Sequence, residues 1–156
     1  MPSEEQKQLV NALKPLLKQH GFRKQGATWH RQVPGYIQVV NVQGSQWSKT
    51  FYINLGVYIT QLGDKETPPE YDCHIRNRVN DLAQDRRRYI ALVDMENDIP
   101  PDTRLPELLA VVEQYAIPWL EKYSNLDGIK DWITGEQPHG LPVSKAVFDL
   151  LGIHKE

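Results

Sequence analysis

Residues 51–60 alternate between large apolar side chains and smaller or more polar ones over ten consecutive positions. The first set is Phe51, Ile53, Leu55, Val57 and Ile59, and the second set is Tyr52, Asn54, Gly56, Tyr58 and Thr60. Because successive side chains of a strand point to opposite faces, a period of two predicts a strand with one buried face. Such a strand belongs to an antiparallel sheet that is packed on one side and leaves its second face available.

Two earlier segments, residues 27–32 and 36–43, are also rich in β-branched and aromatic side chains. Pro34 and Gly35 separate them, and this pair is typical of a tight turn. The sequence therefore predicts a hairpin that continues into the 51–60 strand as an antiparallel meander.

Residues 4–20 show the spacing of an amphipathic helix. Ser3 and Gln6 match a capping box at its start, and Gly21 supplies the residue that ends a helix in the left-handed conformation. Pro15 lies inside the pattern, so we expect a kink or an early end there.

The second half of the chain contains mainly helical patterns. Apolar residues at helical intervals over 105–123 predict a long helix, with Pro106 in its first turn and Pro118 bending it near its end. Shorter helices are expected around 129–133 and from Pro142 to Gly152. Residues 61–71 are predicted to form a loop.

Two segments stay ambiguous, because 72–82 fits a strand or a helix and 89–93 fits a short strand or a helical turn. A helix followed by strands and then by helices is typical of the α+β class. We expect an antiparallel sheet of three to five strands, packed on one face by an N-terminal helix and C-terminal helices, in a single domain over residues 1–156.

Charge and composition exclude several classes of protein. Eighteen Lys and Arg against twenty Asp and Glu give a net charge of −2, which is not the basic excess of a generic nucleic-acid binder. No apolar run approaches the roughly 20 residues of a membrane helix. The single cysteine cannot form an internal disulfide, and the acidic N-terminus does not resemble a signal peptide. We expect a cytoplasmic protein with no nucleic-acid or membrane partner.

The sequence carries no established catalytic motif, since a P-loop, a dinucleotide-binding glycine pattern, H-E-x-x-H and G-x-S-x-G are all absent. Adjacent Cys73 and His74 point to opposite faces of a strand and do not match zinc-ligand spacing. A nucleophilic Cys73 assisted by His30 or His139 is a weaker alternative to an inert buried thiol. We therefore expect no catalytic residue, no metal and no cofactor.

The second face of the sheet is the strongest candidate site. The polar and aromatic residues expected to project from it are Arg31, Asn41, Gln43, Ser45, Tyr52, Asn54 and Tyr58. Asn and Gln are unfavourable in strands, so their position there needs a reason. Either they form a structural hydrogen-bond network, or they form a recognition surface with aromatic anchors.

Five arginines form the one basic concentration of the chain. They are Arg76, Arg78, Arg86, Arg87 and Arg88. They either hold an anion or form a solvated face that pairs with Asp81, Asp85 and Asp94.

Several segments together are similar to a known family. They are LLKQHGFRK at 16–24, WHR at 29–31, VNVQGS at 40–45, YINLGV at 52–57 and CHIRNRV at 73–79. Over residues 10 to about 125 the chain resembles the bacterial family called domain of unknown function 4304. The resemblance implies a small standalone bacterial domain and no particular activity. By analogy, many small bacterial domains without catalytic motifs are inhibitors or immunity partners of toxins.

Three hypotheses follow. The first is a non-catalytic protein that presents the polar and aromatic sheet face or its acidic loops to a protein partner, with a toxin-neutralising immunity-type protein as its specific form. The second is a small-ligand or anion-binding enzyme domain, whose pocket would combine Arg31, Gln43, Asn54, His74, Arg76 and Arg78. The third is a homodimer built on an edge strand, so the chain is either a monomer or a homodimer.

Overall fold

The centre of the fold is an antiparallel sheet whose strands are neighbours in chain order. The computed structural model describes residues 3–135 and 143–153. The strands are β1 (Arg23–Gln25), β2 (Thr28–Val33), β3 (Tyr36–Gly44), β4 (Phe51–Ile59) and β5 (Ile75–Arg78). Every neighbouring pair is antiparallel, so the sheet is a five-stranded meander.

Helices precede and follow this sheet, which confirms the predicted α+β class. They are α1 (Glu4–Gln19), α2 (Arg86–Val93), α3 (Pro101–Val111), α4 (Ile117–Lys122), α5 (Leu126–Thr134) and α6 (Lys145–Leu151). Short 3₁₀ turns at Thr60–Leu62 and Glu70–Asp72 lie between β4 and β5, and another at Val79–Asp81 follows β5. The ambiguous segment 72–82 therefore contains a strand between two turns, and 89–93 is helical.

The end of α1 forms as the sequence predicts, whereas its start has only half of the predicted capping box, because the Gln6 side chain donates to the Val42 carbonyl at 3.4 Å. The Ser3 side chain accepts a hydrogen bond from the Gln6 backbone N–H at 3.1 Å. At the other end Gly21 has a φ of 88°, and the Phe22 N–H reaches back to the Leu17 carbonyl at 2.9 Å. This is the Schellman arrangement, which requires a left-handed residue and explains the glycine.

The prolines affect the helices differently from one another. Pro15 does not end α1, because it lies on the exposed side, where the carbonyl that loses its partner meets water. The prediction that Pro106 occupies a first turn is wrong, because α3 already begins at Pro101. Pro118 has no N–H for the usual helical bond, and the chain widens into a π turn over Val112–Ala116 immediately before α4. Pro142 lies outside the described residues.

One face of the sheet is covered by helices and forms the main core. Trp29, Val40 and Leu55 lie opposite one another on three neighbouring strands and are almost completely buried. The helices contribute Leu9, Leu13, Leu17, Leu108, Val112, Leu120 and Ile129, each with no exposed surface. Burial of a side chain of this size contributes about 1.5–3 kcal/mol, so this layer provides most of the stabilisation.

A polar pair, Arg31 and Gln38, also lies on the helix-covered face. Gln38 is buried, accepts a hydrogen bond from Arg31 Nε at 2.6 Å and donates to the Leu120 carbonyl and the Ser124 hydroxyl. Arg31 also donates to the His20 carbonyl at 2.7 Å. The pair therefore joins the sheet to the end of α1 and to α4.

The second face of the sheet is partly covered by residues 60–74, which we call the covering loop. His30 Nε2 lies 2.7 Å from the Pro68 carbonyl oxygen. Tyr58 is 4% exposed, and its hydroxyl accepts a hydrogen bond from the Lys65 N–H at 3.2 Å. The expectation that the whole second face is available is therefore wrong, because it did not account for a loop that returns across the sheet.

Gly56 is the position where the covering loop comes closest to the sheet. A Cβ atom there would lie 2.5 Å from Cys73 Sγ and 2.7 Å from Cys73 Cβ. No side chain fits at that separation, so the glycine is what allows the loop to pack on the second face.

We expect Gly56→Ala to lower the free energy of unfolding by about 1–3 kcal/mol, because overpacking forces the loop away from the sheet. Gly44→Ala is the matched control, since its nearest contact would be an ordinary 3.4 Å from Phe51. Urea denaturation of both variants measures the difference. Equal stability of the two variants would contradict the close packing at Gly56.

Candidate functional site

The uncovered part of the second face carries a row of polar side chains, one from each of four strands. Thr28, Asn41, Asn54 and Arg78 lie directly opposite one another in register. Asn41 Nδ2 donates to Thr28 Oγ1 at 2.9 Å, and Asn54 Nδ2 donates to Asn41 Oδ1 at 3.1 Å. Arg78 Nε donates to Asn54 Oδ1 at 3.1 Å. We call this row the polar ladder.

The direction of the polar ladder is set at its Arg78 end. A guanidinium has only donors, so Asn54 must present its oxygen to Arg78 and its nitrogen to β3. Both N–H groups of Asn54 are then used, one on Asn41 and the other on Gln43 Oε1 at 2.9 Å. Gln43 is an exposed residue that accepts through its oxygen, and among the described residues its amide nitrogen forms no hydrogen bond. Asn54 itself is only 3% exposed and fully bonded.

Arg78 is held in place from two sides. Its guanidinium carbon lies 4.8 Å from the centre of the Tyr52 ring, a cation–π contact, while its Nε is bonded to Asn54. Tyr52 is in turn the direct cross-strand neighbour of Gln43. Within residues 3–135 and 143–153, Arg78 has no acidic partner, and its two terminal nitrogens form no hydrogen bond.

An exposed tryptophan lies next to this corner of the sheet. Trp47 lies in the connection between β3 and β4, three residues after the last β3 residue, Gly44, and is 92% exposed. Its backbone N–H donates to the Ser45 hydroxyl at 3.2 Å. We call Gln43, Trp47, Tyr52 and Arg78 together the open patch.

The structure separates the other predicted site residues from the open patch. Arg31 is two residues from buried Trp29 and therefore faces the helices, which corrects its expected position on the second face. Tyr58 is buried beneath the covering loop. The Ser45 hydroxyl accepts the hydrogen bond from the Trp47 N–H and so stabilises the β3–β4 connection. Arg31 and Arg78 thus lie on opposite faces of the sheet, and the six-residue pocket of the second hypothesis does not form.

Arg76 lies on the second face and His74 is the last residue of the covering loop, and both side chains are already engaged in contacts. Arg76 forms a two-pronged ion pair with buried Glu70, at 3.0 and 3.2 Å. His74 Nδ1 accepts a hydrogen bond from the Ile59 N–H at 2.9 Å, and its ring lies 4.7 Å from that of Tyr58. Burial lowers the pKa of His74, which favours the neutral ring that can accept this bond.

Cys73 is buried against Gly56, and burial raises the pKa of its thiol, which keeps it protonated. Among the residues that the structure describes, no three His, Cys, Asp or Glu side chains are grouped as a metal site would require. Over the same residues, no helix has the length and apolar character to cross a membrane. His139 lies outside the described residues.

The remaining arginines of the basic concentration lie apart from Arg76 and Arg78, on helix α2. Arg88 forms a two-pronged ion pair with Glu107 at 2.8 and 2.9 Å, and Arg86 lies 4.0 Å from Asp81. Arg86 thus pairs with one of the expected acids, Asp81, whereas Arg88 pairs with Glu107, which was not among them. Exposed pairs of this kind add little stability, typically below about 1 kcal/mol.

The sequence analysis did not identify Trp47, because its loop has no regular pattern. A tryptophan in a polar segment between two predicted strands could have indicated an exposed binding residue. Arg104 was also missed, and it is 4% exposed and donates to the carbonyls of Leu92 and Asp94 at 2.6 and 2.9 Å. Arg104 has a structural role in the helical layer, because these carbonyls belong to the last turn and the C-cap of α2.

The fold and the open patch define an α+β domain with a solvent-facing corner on its sheet. A family model described as domain of unknown function (DUF4304) matches residues 13–122. That match covers 110 of 156 residues and includes all five strands and the open patch, so the chain belongs to this family. Searches of curated proteins and of solved structures find no match.

We expect Asn54→Ala to lower the free energy of unfolding by about 1–3 kcal/mol, because it leaves Arg78 Nε and two amide oxygens without their partner. Thr28→Val is the control, since Asn41 Nδ2 keeps a second acceptor in the Ala27 carbonyl at 3.5 Å. Chemical denaturation compares the two. A larger effect at Thr28 would contradict the central position of Asn54.

His74 should make stability depend on pH in a defined direction. The pKa of His74 is lowered from 6.5 in the folded chain, so near and below pH 6.5 the unfolded chain binds more protons than the folded chain. The contribution of His74 to the stability of the fold therefore falls as the pH falls. His74→Gln removes this titration. Denaturation from pH 8 to pH 5 should show the wild type losing stability relative to the variant. A constant difference would contradict the lowered pKa.

Proposed function

We propose that this chain is a non-catalytic protein-binding domain and that its partner docks on the open patch. The observation that carries the proposal is an almost fully exposed Trp47 in the connection between β3 and β4, at the same end of these strands as Gln43 and the Tyr52–Arg78 stack. Tryptophan, tyrosine and arginine are the residues most enriched among those that dominate binding energy at protein interfaces. Their combination on one corner, with Gln43 beside them, favours an interface over a solvated surface.

The contacts that hold Arg78 in place support the same proposal. Arg78 is fixed by Tyr52 and Asn54, and Asn54 is fixed by the polar ladder. A side chain that is already ordered loses little conformational entropy when a partner binds, so the contact gains affinity.

The groups that could carry chemistry are used elsewhere. Cys73 is a buried thiol kept protonated, His74 Nδ1 accepts a backbone N–H, and Arg76 is paired with Glu70. These contacts hold the covering loop on the sheet, which favours a binding role over a catalytic one.

A toxin-neutralising role is the specific form of this proposal. It requires that the bound partner has an activity of its own and that equimolar chain inhibits it. A partner that binds the open patch and keeps its full activity would reduce the proposal to a general protein-binding role.

The test uses the full chain, immobilised, to capture partners from an extract of its source cells. We expect one partner that the wild type retains and that Trp47→Ala loses, with at least about a tenfold loss of affinity when the purified pair is measured. Tyr71→Ala is the matched control, because Tyr71 is an aromatic residue that is 71% exposed outside the open patch. Equal retention by both variants, or no saturable partner, would overturn the proposal.

A further inference from the structure

The Gln43, Tyr52 and Arg78 corner of the open patch offers hydrogen-bond donors to solvent. Arg78 presents both terminal guanidinium nitrogens, because only its Nε is used by Asn54. Gln43 presents its amide nitrogen, because its oxygen accepts from Asn54. The bonds of Asn54 thus engage the Gln43 oxygen and the Arg78 Nε and leave the remaining N–H groups of both side chains without a partner among the described residues. A ligand that complements this corner must supply acceptors.

We infer that this corner is a receptor for a single carboxylate, such as an Asp or Glu side chain of the partner. The planar fork of an arginine matches the two oxygens of a carboxylate, and the bonds to a charged acceptor are the stronger kind. The Gln43 amide adds a further donor beside the fork.

The local charge favours a carboxylate over a phosphate group. Arg76, two residues away on the same face of β5, is neutralised by Glu70. Arg78 has no acidic partner in the described ranges, so the corner carries one uncompensated positive charge. That charge is matched by a carboxylate, whereas a phosphate near neutral pH carries up to two negative charges.

The assignment gives the partner a recognisable surface. An acidic residue would occupy the corner, and a neighbouring apolar residue would cover Trp47. The identification of the carboxylate as a residue of a protein partner rests on the proposed function, whereas binding of a carboxylate by the isolated chain can be measured without any partner.

The experiment follows the side-chain N–H signals of Arg78 and Gln43 by NMR while sodium acetate is added to the full chain. We expect saturable shifts of both signals with half-saturation on the order of 10–100 mM, because a few charge-assisted bonds to a small anion give that affinity. Sodium chloride at equal ionic strength and neutral acetamide should give no saturable shift, and phosphate should bind no more tightly than acetate.

Variants test the named donors. Arg78→Lys keeps the charge but loses the fork, and Gln43→Glu replaces a donor with a negative charge at an exposed position. Each should raise the half-saturating acetate concentration about tenfold or more. Arg87→Gln is the matched control on the exposed side of α2 and should leave it unchanged. Backbone amide spectra of the variants confirm that each remains folded.

The outcomes separate this inference from the proposed function. If acetate gives no saturable shift at Arg78, or if phosphate binds more tightly, the carboxylate receptor is wrong, even if Trp47→Ala abolishes partner capture. If acetate binds as expected and no partner is retained, the receptor stands and the protein-binding proposal fails.

Discussion

The hydrogen bonds of Asn54 are the constraint on which the arrangement of the sheet depends. From the middle of β4 this side chain reaches β3 twice and β5 once, so it ties three strands at one point. A slip of β4 by one residue would turn Asn54 toward Leu55's place in the core and would bring Leu55 out. An amide left without partners there costs about 1–3 kcal/mol, in addition to the lost apolar burial. The polar ladder therefore specifies the register that the apolar pattern also requires.

Much of this fold is predictable because it depends on local periodicity. The period of two gives β4 and its faces, and the helical spacing with Ser3 and Gly21 gives α1. The same period of two places Arg31 on the helix-covered face with Trp29, although its polar side chain alone suggested the second face. Strand β1 could not be predicted, because its three residues are all exposed and polar and show no alternation. It exists only because β2 offers a partner.

The covering loop is the part that sequence patterns could not provide. Its packing depends on contacts between residues far apart in the chain, such as His30 with Pro68 and Gly56 with Cys73. Each residue alone has a commoner explanation, since isolated glycines and buried cysteines occur in many folds. Only their juxtaposition shows that half of the second face is closed, which removes Tyr58 from any interface.

The same loop determines what the open half can do. Arg76 and Arg78 occupy equivalent positions on one face of β5, two residues apart, and differ in what lies above them. The loop brings buried Glu70 to Arg76 and cancels its charge, but it does not extend over Arg78. Arg78 instead rests on Tyr52 and donates inward to Asn54, which leaves its terminal N–H groups directed outward. The difference between Arg76, which is paired within the fold, and Arg78, for which we propose a role in recognition, thus arises from how far one loop reaches across the sheet.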